Sequence, residues 1–229
     1  MNEVLTLEFL AEHGACTEGI TAFEKAYPNG VEWTRENILK AIPDFKTFLC
    51  WPFFATGKFE VNLSGENLSG LDLTKADFTC ANLFEADLSQ ANLYRADLTN
   101  AYMVKANLTW ANLTWAYMAG ADLSGATLTG ANLYRTRMVE TKMRKADLRW
   151  ADLTNARLEK ASLYQANLRG ADMRGVNLHE ANLHNADLRE TDLRGANLSH
   201  ADLSGADLRQ AKIDKERLYH CNLDGAIFY

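Results

Sequence analysis

Proline, cysteine and histidine are scarce in this sequence. Its 229 residues include three prolines, four cysteines and five histidines. The cysteines, Cys16, Cys50, Cys80 and Cys221, lie far apart and form no Cys-x-x-Cys pair. This spacing fits neither a zinc site nor a disulfide framework, so we expect reduced thiols and a cytoplasmic protein.

Long hydrophobic runs are also missing. The longest apolar stretch, from Phe48 to Ala55, is interrupted by Pro52, and the chain does not begin with a basic segment followed by an apolar core. We therefore expect no signal peptide, no membrane-spanning helix and no membrane partner.

The chain has no excess of positive charge. Its formal net charge is −6; the first sixty residues hold five bases and nine acids, and the rest holds nineteen bases and twenty-one acids. Neither part has the basic character of a nucleic-acid-binding domain, so direct binding of nucleic acid is not expected.

Catalytic motifs are missing as well. The sequence shows no glycine-rich phosphate loop and no Ser-His-Asp arrangement, and its aspartates are spread evenly through a repeat. The sequence therefore lacks the motifs that would supply a catalytic nucleophile with its base or a phosphate-binding loop. We expect no enzyme activity, no catalytic residues and no cofactor.

What the sequence does contain is a five-residue repeat, which recurs thirty-four times from Val61 to Tyr229 without an insertion. Position 1 is Ala in twenty-five repeats, position 2 is Asn or Asp in twenty-four, and position 3 is always Leu, Met, Ile or Phe. Positions 4 and 5 mix small, polar, basic and aromatic residues. A period of five matches neither a helix nor a strand, so it predicts a solenoid with positions 1 and 3 inward and the others outward.

The pattern Ala-(Asp/Asn)-Leu-x-x, as in Ala86-Asp87-Leu88-Ser89-Gln90, resembles that of the pentapeptide repeat proteins. The likeness covers about three-quarters of the chain. It implies an all-β solenoid, a right-handed quadrilateral β-helix with four repeats per coil, in which residues twenty apart stack on each other.

Residues 1–60 are predicted to form a separate α-helical capping segment in front of the 61–229 solenoid. Apolar residues recur there at helical spacing, with Leu5, Phe9 and Leu10 in a first helix and residues 34–42 in a third. The first coil of a solenoid exposes its apolar interior and unpaired backbone groups, which a helical lid would cover.

An aromatic surface is predicted near the middle of the solenoid. In the four-sided arrangement, Arg95, Trp115 and Arg135 share one column, and the other members lie in the column beside it or at the preceding corner. Aromatic and Arg side chains dominate interface hot spots, so this is the candidate partner-binding patch; self-stacking that only stabilises the coils is the alternative. Its members are Tyr94, Arg95, Trp110, Trp115, Tyr134, Arg135 and Trp150.

Two further clusters share columns in the C-terminal coils. One column consists of Arg149, Arg169, Arg189 and Arg209, and the next side holds Arg174 and Arg194. Most of these arginines follow an Asp by two residues, which predicts a solvated Asp/Arg lattice. An anion or acidic-partner site is the alternative. His200 and His220 are expected to stack about 4.8 Å apart at the backbone. No Cys or carboxylate at ligand spacing completes a site with them, so we expect no metal.

Three functions are considered on this basis. A rigid, non-catalytic protein-interaction scaffold with an unknown protein partner fits the patterned surface best. The family resemblance supplies a DNA-mimicking modulator or protector of DNA gyrase as the alternative, although a net charge of only −2 in the repeats is low for a duplex mimic. An enzyme built on the solenoid lacks the residues.

The chain is also predicted to form a homodimer through its C-terminal coil. Nothing follows the final repeat in the sequence, and Ile227 stands where Asn or Asp is usual. Pairing of two ends would bury Ile227, Phe228 and Tyr229, and gyrase-protecting relatives dimerise in a similar way. A self-cap formed by residues 212–220 is the alternative.

Overall fold

Parallel pairing between residues twenty apart builds the solenoid. The computed structural model describes Val4–Leu5, Val31–Glu32 and residues 62–228. In the last of these ranges, position 2 bridges to position 2 four repeats later, from Asn62 with Asn82 to Asp207 with Ile227. Each coil therefore has four sides, as the resemblance implied. We number them from the repeats that begin at residues 61, 66, 71 and 76, and each side recurs every twenty residues.

Each repeat ends in a tight turn. The N–H of Ala76 donates to the carbonyl of Leu73 at 3.0 Å, and equivalent bonds follow along the solenoid. Position 5 is the third residue of this turn, and from residue 65 to residue 210 its φ is always positive, for example 58° at Lys75. A positive φ at this place is typical of a type II turn. Because such a φ suits glycine, ten of the fourteen glycines of the sequence occur at position 5.

Where position 2 is Asn or Asp, its side chain caps the turn. Its Oδ1 accepts the backbone N–H of position 4, as from Thr74 to Asp72 at 3.1 Å. An Asn amide also donates to the side chain one coil earlier, as from Asn107 to Asp87 at 2.9 Å. The preference for Asn and Asp is therefore a backbone requirement.

The interior is packed by positions 1 and 3. Every position-3 side chain from Leu63 to Leu208 is buried, and so is each Ala at position 1 from Ala76 to Ala206. Three threonines replace Ala inside, and each is satisfied by donating its Oγ1–H to a carbonyl, as Thr136 does to Leu133 at 2.7 Å. The predicted inward and outward positions are confirmed.

The last coil departs from this regularity. A short 3-10 helix, Lys215–Leu218, replaces the bridge expected on side 4. The inward side chains of this coil are only partly buried, while they still pack against the core: Ile213, Leu218, Leu223 and Phe228.

Little of the N-terminal segment lies in the described ranges. Strand β1 (Val4–Leu5) pairs antiparallel with β2 (Val31–Glu32), with Val4 opposite Glu32. Leu5, predicted to belong to a first helix, is thus in a strand. The remainder of the predicted helical cap falls outside the described residues and stays a prediction. No helix in the described ranges is long and apolar enough to cross a membrane.

Candidate partner-binding surface

The turn geometry determines where the aromatic surface lies. Trp110, Trp115 and Trp150 are all at position 5, with φ of 59°, 62° and 60°. Position 5 is at a corner of the coil, so Trp110 and Trp150 share the corner between sides 2 and 3, and Trp115 lies at the next corner. As whole residues, Trp110, Trp115 and Trp150 are 62%, 37% and 56% exposed.

Arginine stacking joins five members of the predicted patch into two groups. The Arg95 guanidinium lies 5.2 Å from the ring centre of Tyr94. The Arg135 guanidinium lies 5.0 Å from the Trp115 ring, one coil earlier, and 5.2 Å from the Tyr134 ring. These contacts stiffen the Arg side chains and leave their charge exposed.

Trp110 and Trp150 make a different contact, each with a glycine of the next coil. The six-membered ring of Trp110 lies where a Cβ at Gly130 would be, with ring carbons 2.4 Å from that point; the Trp150 ring comes within 2.3 Å of the corresponding point at Gly170. Trp, Gly, Trp and Gly therefore alternate along one corner. Sequence analysis did not predict this packing, although the alternation at intervals of twenty residues is its signal.

The Asp/Arg lattice is confirmed on sides 2 and 3. In each pair the Arg fork binds the Asp two residues earlier; Arg149 Nη2 lies 2.6 Å from Asp147 Oδ2. Arg169, which follows Asn167, instead binds Glu190 at 2.6 Å. Hydrogen bonding from the Arg holds the pKa of each paired Asp below its ordinary value of 3.8. The pairs are Asp147–Arg149, Asp172–Arg174, Asp187–Arg189, Asp192–Arg194 and Asp207–Arg209.

The histidines stack as expected. The His200 and His220 rings are 5.7 Å apart and nearly parallel, and His179 meets His200 edge-on at 5.6 Å. His179 also lies 3.0 Å from Glu180 Oε1. Within the part of the chain that the structure describes, no three His, Cys, Asp or Glu side chains are arranged to hold a metal ion. Cys80 and Cys221 are free thiols, and burial raises the pKa of Cys221.

The candidate dimer residues do not share one surface. Ile227 is 46% exposed on side 2. Phe228 occupies the inward position of the last repeat and packs partly against the core. Tyr229 falls outside the described residues.

A scan against protein-family models matches the family described as pentapeptide repeats in eight copies. The matched segments are residues 59–90, 81–118, 106–144, 141–179, 177–214 and 191–228. The chain belongs to the pentapeptide repeat family. Members of this family fold as right-handed quadrilateral β-helices, in agreement with the four-sided coil seen here.

Several solved structures of this family are similar to the chain. HetL, involved in heterocyst differentiation regulation in the cyanobacterium Nostoc sp. strain PCC 7120, is 31% identical, with 76% of this chain and 89% of HetL covered and a TM-score of 0.33. A trypsin-treated form of QnrB1, a plasmid-mediated fluoroquinolone resistance protein, is 18% identical, with 69% and 92% covered and a TM-score of 0.55. Rfr23 from the cyanobacterium Cyanothece 51142 is 22% identical, with 73% and 91% covered and a TM-score of 0.27.

At this identity, the likeness to QnrB1 shows the fold alone. No curated protein sequence matches the chain.

Proposed function

We propose that this pentapeptide repeat protein is a rigid, non-catalytic scaffold that binds a partner protein through the aromatic surface. The exposure of Trp110 and Trp150 carries the proposal, because both residues are more than half exposed on the surface of a solenoid whose apolar interior is filled by positions 1 and 3. Tryptophan is a large apolar residue that is usually well buried, and exposed clusters of such residues mark interaction sites.

The geometry of this surface also suits binding. Each of these indoles rests on a glycine of the next coil, and Arg135 is held over Trp115. Side chains that are already held in place lose less conformational entropy when a partner binds. Trp, Tyr and Arg are the residue types that contribute most at interface hot spots.

Affinity capture from the native host tests the proposal. The wild-type protein is compared with the variant Trp110→Ser, Trp115→Ser, Trp150→Ser, and captured proteins are identified by mass spectrometry. We expect a specific partner to be retained by the wild type and lost by the variant. Purified partner should then bind the variant at least ~10-fold more weakly, which corresponds to about 1.4 kcal/mol.

A control variant removes exposed aromatic area elsewhere, through Tyr102→Ser and Tyr219→Ser, and should keep the partner. Both variants must melt cooperatively, so that unfolding is excluded as the cause of a loss. Capture of the same proteins by the wild type and by the Trp variant would refute this surface as the binding site.

The alternative proposal is a DNA-mimicking modulator of DNA gyrase. The family resemblance supplies it, and the fold shared with a fluoroquinolone resistance protein is compatible with it. Against it, five aspartates on sides 2 and 3 are neutralised by Arg forks, whereas a duplex presents one unpaired negative charge per about 1.7 Å of axis. A gyrase supercoiling assay in which excess protein changes neither the rate nor quinolone inhibition would exclude this alternative.

A further inference from the structure

The arginines of the solenoid fall into two groups by what they contact. Most of those from Arg149 onward bind a carboxylate. Those from Arg95 to Arg144 lie over aromatic rings instead, with Arg137 5.1 Å from the Tyr117 ring and Arg144 5.1 Å from the Tyr164 ring. A guanidinium on a ring keeps its full charge and its hydrogen-bond donors for an external anion.

Two consecutive repeats, 136–140 and 141–145, concentrate this free positive charge. Each has Thr at position 1, a base at position 2 and Met at position 3, and together they hold four bases and one acid, Glu140. We call Arg137, Lys142, Arg144 and Lys145 the cationic strip; all four are exposed. Among the ion pairs of residues 62–228, none includes a member of the strip.

The solenoid does not need these bases for its own folding. At position 2, Asn or Asp accepts the N–H of position 4, and neither Arg137 nor Lys142 has an oxygen to do so. Yet the backbone is regular there, with Arg137 bridged to Tyr117 and Arg157, and Lys142 bridged to Asp122 and Ser162. Among residues 62–228, Lys142 forms no ion pair in exchange for the missing cap. A local sequence rule broken without structural gain is expected at functional sites.

We propose that the cationic strip binds a short acidic segment of a partner protein. The strip occupies sides 4 and 1, whereas Trp110 and Trp150 lie at the diagonally opposite corner between sides 2 and 3. Arg135, over the Trp115 ring at the corner between sides 3 and 4, is the member of the aromatic surface that adjoins the strip. The guanidinium groups of Arg137 and Arg144 are held on their rings and present planar donors that match carboxylates.

The surroundings of the strip favour a short polypeptide over a nucleic acid. A guanidinium group lies over each of the Tyr117 and Tyr164 rings and competes for the ring face on which a base would stack. Acids border the strip, namely Asp122, which is bridged to Lys142 on side 1, and Glu140 at the corner between sides 4 and 1. These carboxylates would repel a long polyanion, whereas a segment with only a few acidic residues fits between them.

Fluorescence anisotropy tests the proposal with the full chain and a labelled peptide of alternating Glu and Gly. We expect saturable binding that weakens as salt is added, because exposed charges are screened. The strip variant is Arg137→Asn, Lys142→Asn, Arg144→Ser, Lys145→Gln, which restores residues common in the repeat and should fold as well as the wild type. It should bind the peptide at least ~10-fold more weakly.

The matched control removes four paired arginines through Arg149→Ser, Arg174→Ser, Arg194→Ser and Arg209→Ser. It loses the same formal charge and should bind the peptide almost as well as the wild type, as should the triple Trp variant. If the strip variant and the control variant lose peptide affinity equally, the binding depends only on net charge, and the proposal is overturned. So would tighter binding of a thymidine oligonucleotide of equal charge, or no binding of the Glu–Gly peptide at low salt.

Discussion

At position 5 of the repeat, a left-handed backbone is imposed on Lys, Glu, Arg and Trp as well as on Gly. The φ of Trp110 is 59° and that of Gly130 is 66°. For an L-residue this conformation costs roughly 1–2 kcal/mol, and no β-branched residue occupies the position from residue 65 to residue 210. The turn requires this φ at every corner, so the packing of the coils must offset the cost at each residue that is not glycine.

The first prediction compares Gly125→Ala with Gly130→Ala, two changes at the same φ of 66°. At Gly125 the nearest atom to an added Cβ is 3.7 Å away, so only the conformational cost of about 1 kcal/mol is expected. At Gly130 the Cβ would displace the Trp110 ring, and the loss of that contact should increase the cost. Thermal melting measures both changes, and tryptophan fluorescence should change only for Gly130→Ala.

The variant Trp110→Ala separates the cost of the positive φ from the cost of displacing the Trp110 ring. With the ring removed, Gly130→Ala should cost no more than Gly125→Ala. If the larger cost persists without the ring, Trp110 does not rest on Gly130 as the structure indicates.

A second residue-scale prediction concerns Lys142→Asn. The side-chain oxygen of the new Asn should accept the backbone N–H of Arg144. Its amide N–H should donate to Asp122 one coil earlier, as the amide of Asn107 donates to Asp87. Each bond is worth about 0.5–1.5 kcal/mol, so the free energy of unfolding should rise. Arg137→Asn is the control, because Tyr117 stands one coil earlier and only the first bond can form. If the two changes shift the denaturant midpoint equally, the expected second hydrogen bond to Asp122 does not stabilise the protein.

At the scale of the repeat, the sequence predicted the coil well and its corners poorly. Leu, Ala and Asn recur strictly enough to reveal inward packing and turn capping, and all three roles are confirmed. The left-handed φ of position 5 was not predicted. Glycine is the residue type that indicates a positive φ, and non-glycine residues such as Trp110 and Lys75 also occupy the position. The packing of Trp150 on Gly170 depends on that φ and could not be foreseen without it.

The Asp/Arg pairs lead to a prediction about pH. Hydrogen bonds from Arg174 and Arg194 hold the pKa values of Asp172 and Asp192 below 3.8. A carboxylate with a lowered folded pKa stabilises the protein above its unfolded pKa, and that stabilisation is lost as the pH falls through the folded value. The Arg side chains of these pairs are exposed, so solvent screening keeps the contribution of each pair small.

The measurement compares melting temperatures of the wild type and Arg174→Ser, Arg194→Ser across pH. The wild type should be more stable near neutral pH, and the difference should shrink below pH 3.8, where the aspartates of both proteins become protonated. High salt should reduce the difference as well. A difference that does not change with pH would show that the Arg side chains stabilise through packing alone.

For the whole molecule, the last described coil is the part whose inward side chains are least covered. The last coil leaves Ile213, Leu218, Leu223 and Phe228 only partly covered, although all of them lie at inward positions. The 3-10 helix Lys215–Leu218 closes only side 4, where it has no buried residue of its own. The predicted self-cap over residues 212–220 therefore leaves apolar area uncovered, and we propose that a second copy covers it in a two-fold, end-to-end dimer.

The last prediction tests that dimer by analytical ultracentrifugation at micromolar concentration. The wild type should sediment as a dimer, and Phe228→Asp should dissociate it by placing a charge against the apolar end of the partner copy. Ile227→Asp is the informative companion, because Ile227 lies on side 2 while Phe228 lies at the inward position. An end-to-end dimer should tolerate Ile227→Asp better than Phe228→Asp, whereas a side-by-side dimer should show the reverse order. A monomeric wild type would exclude both.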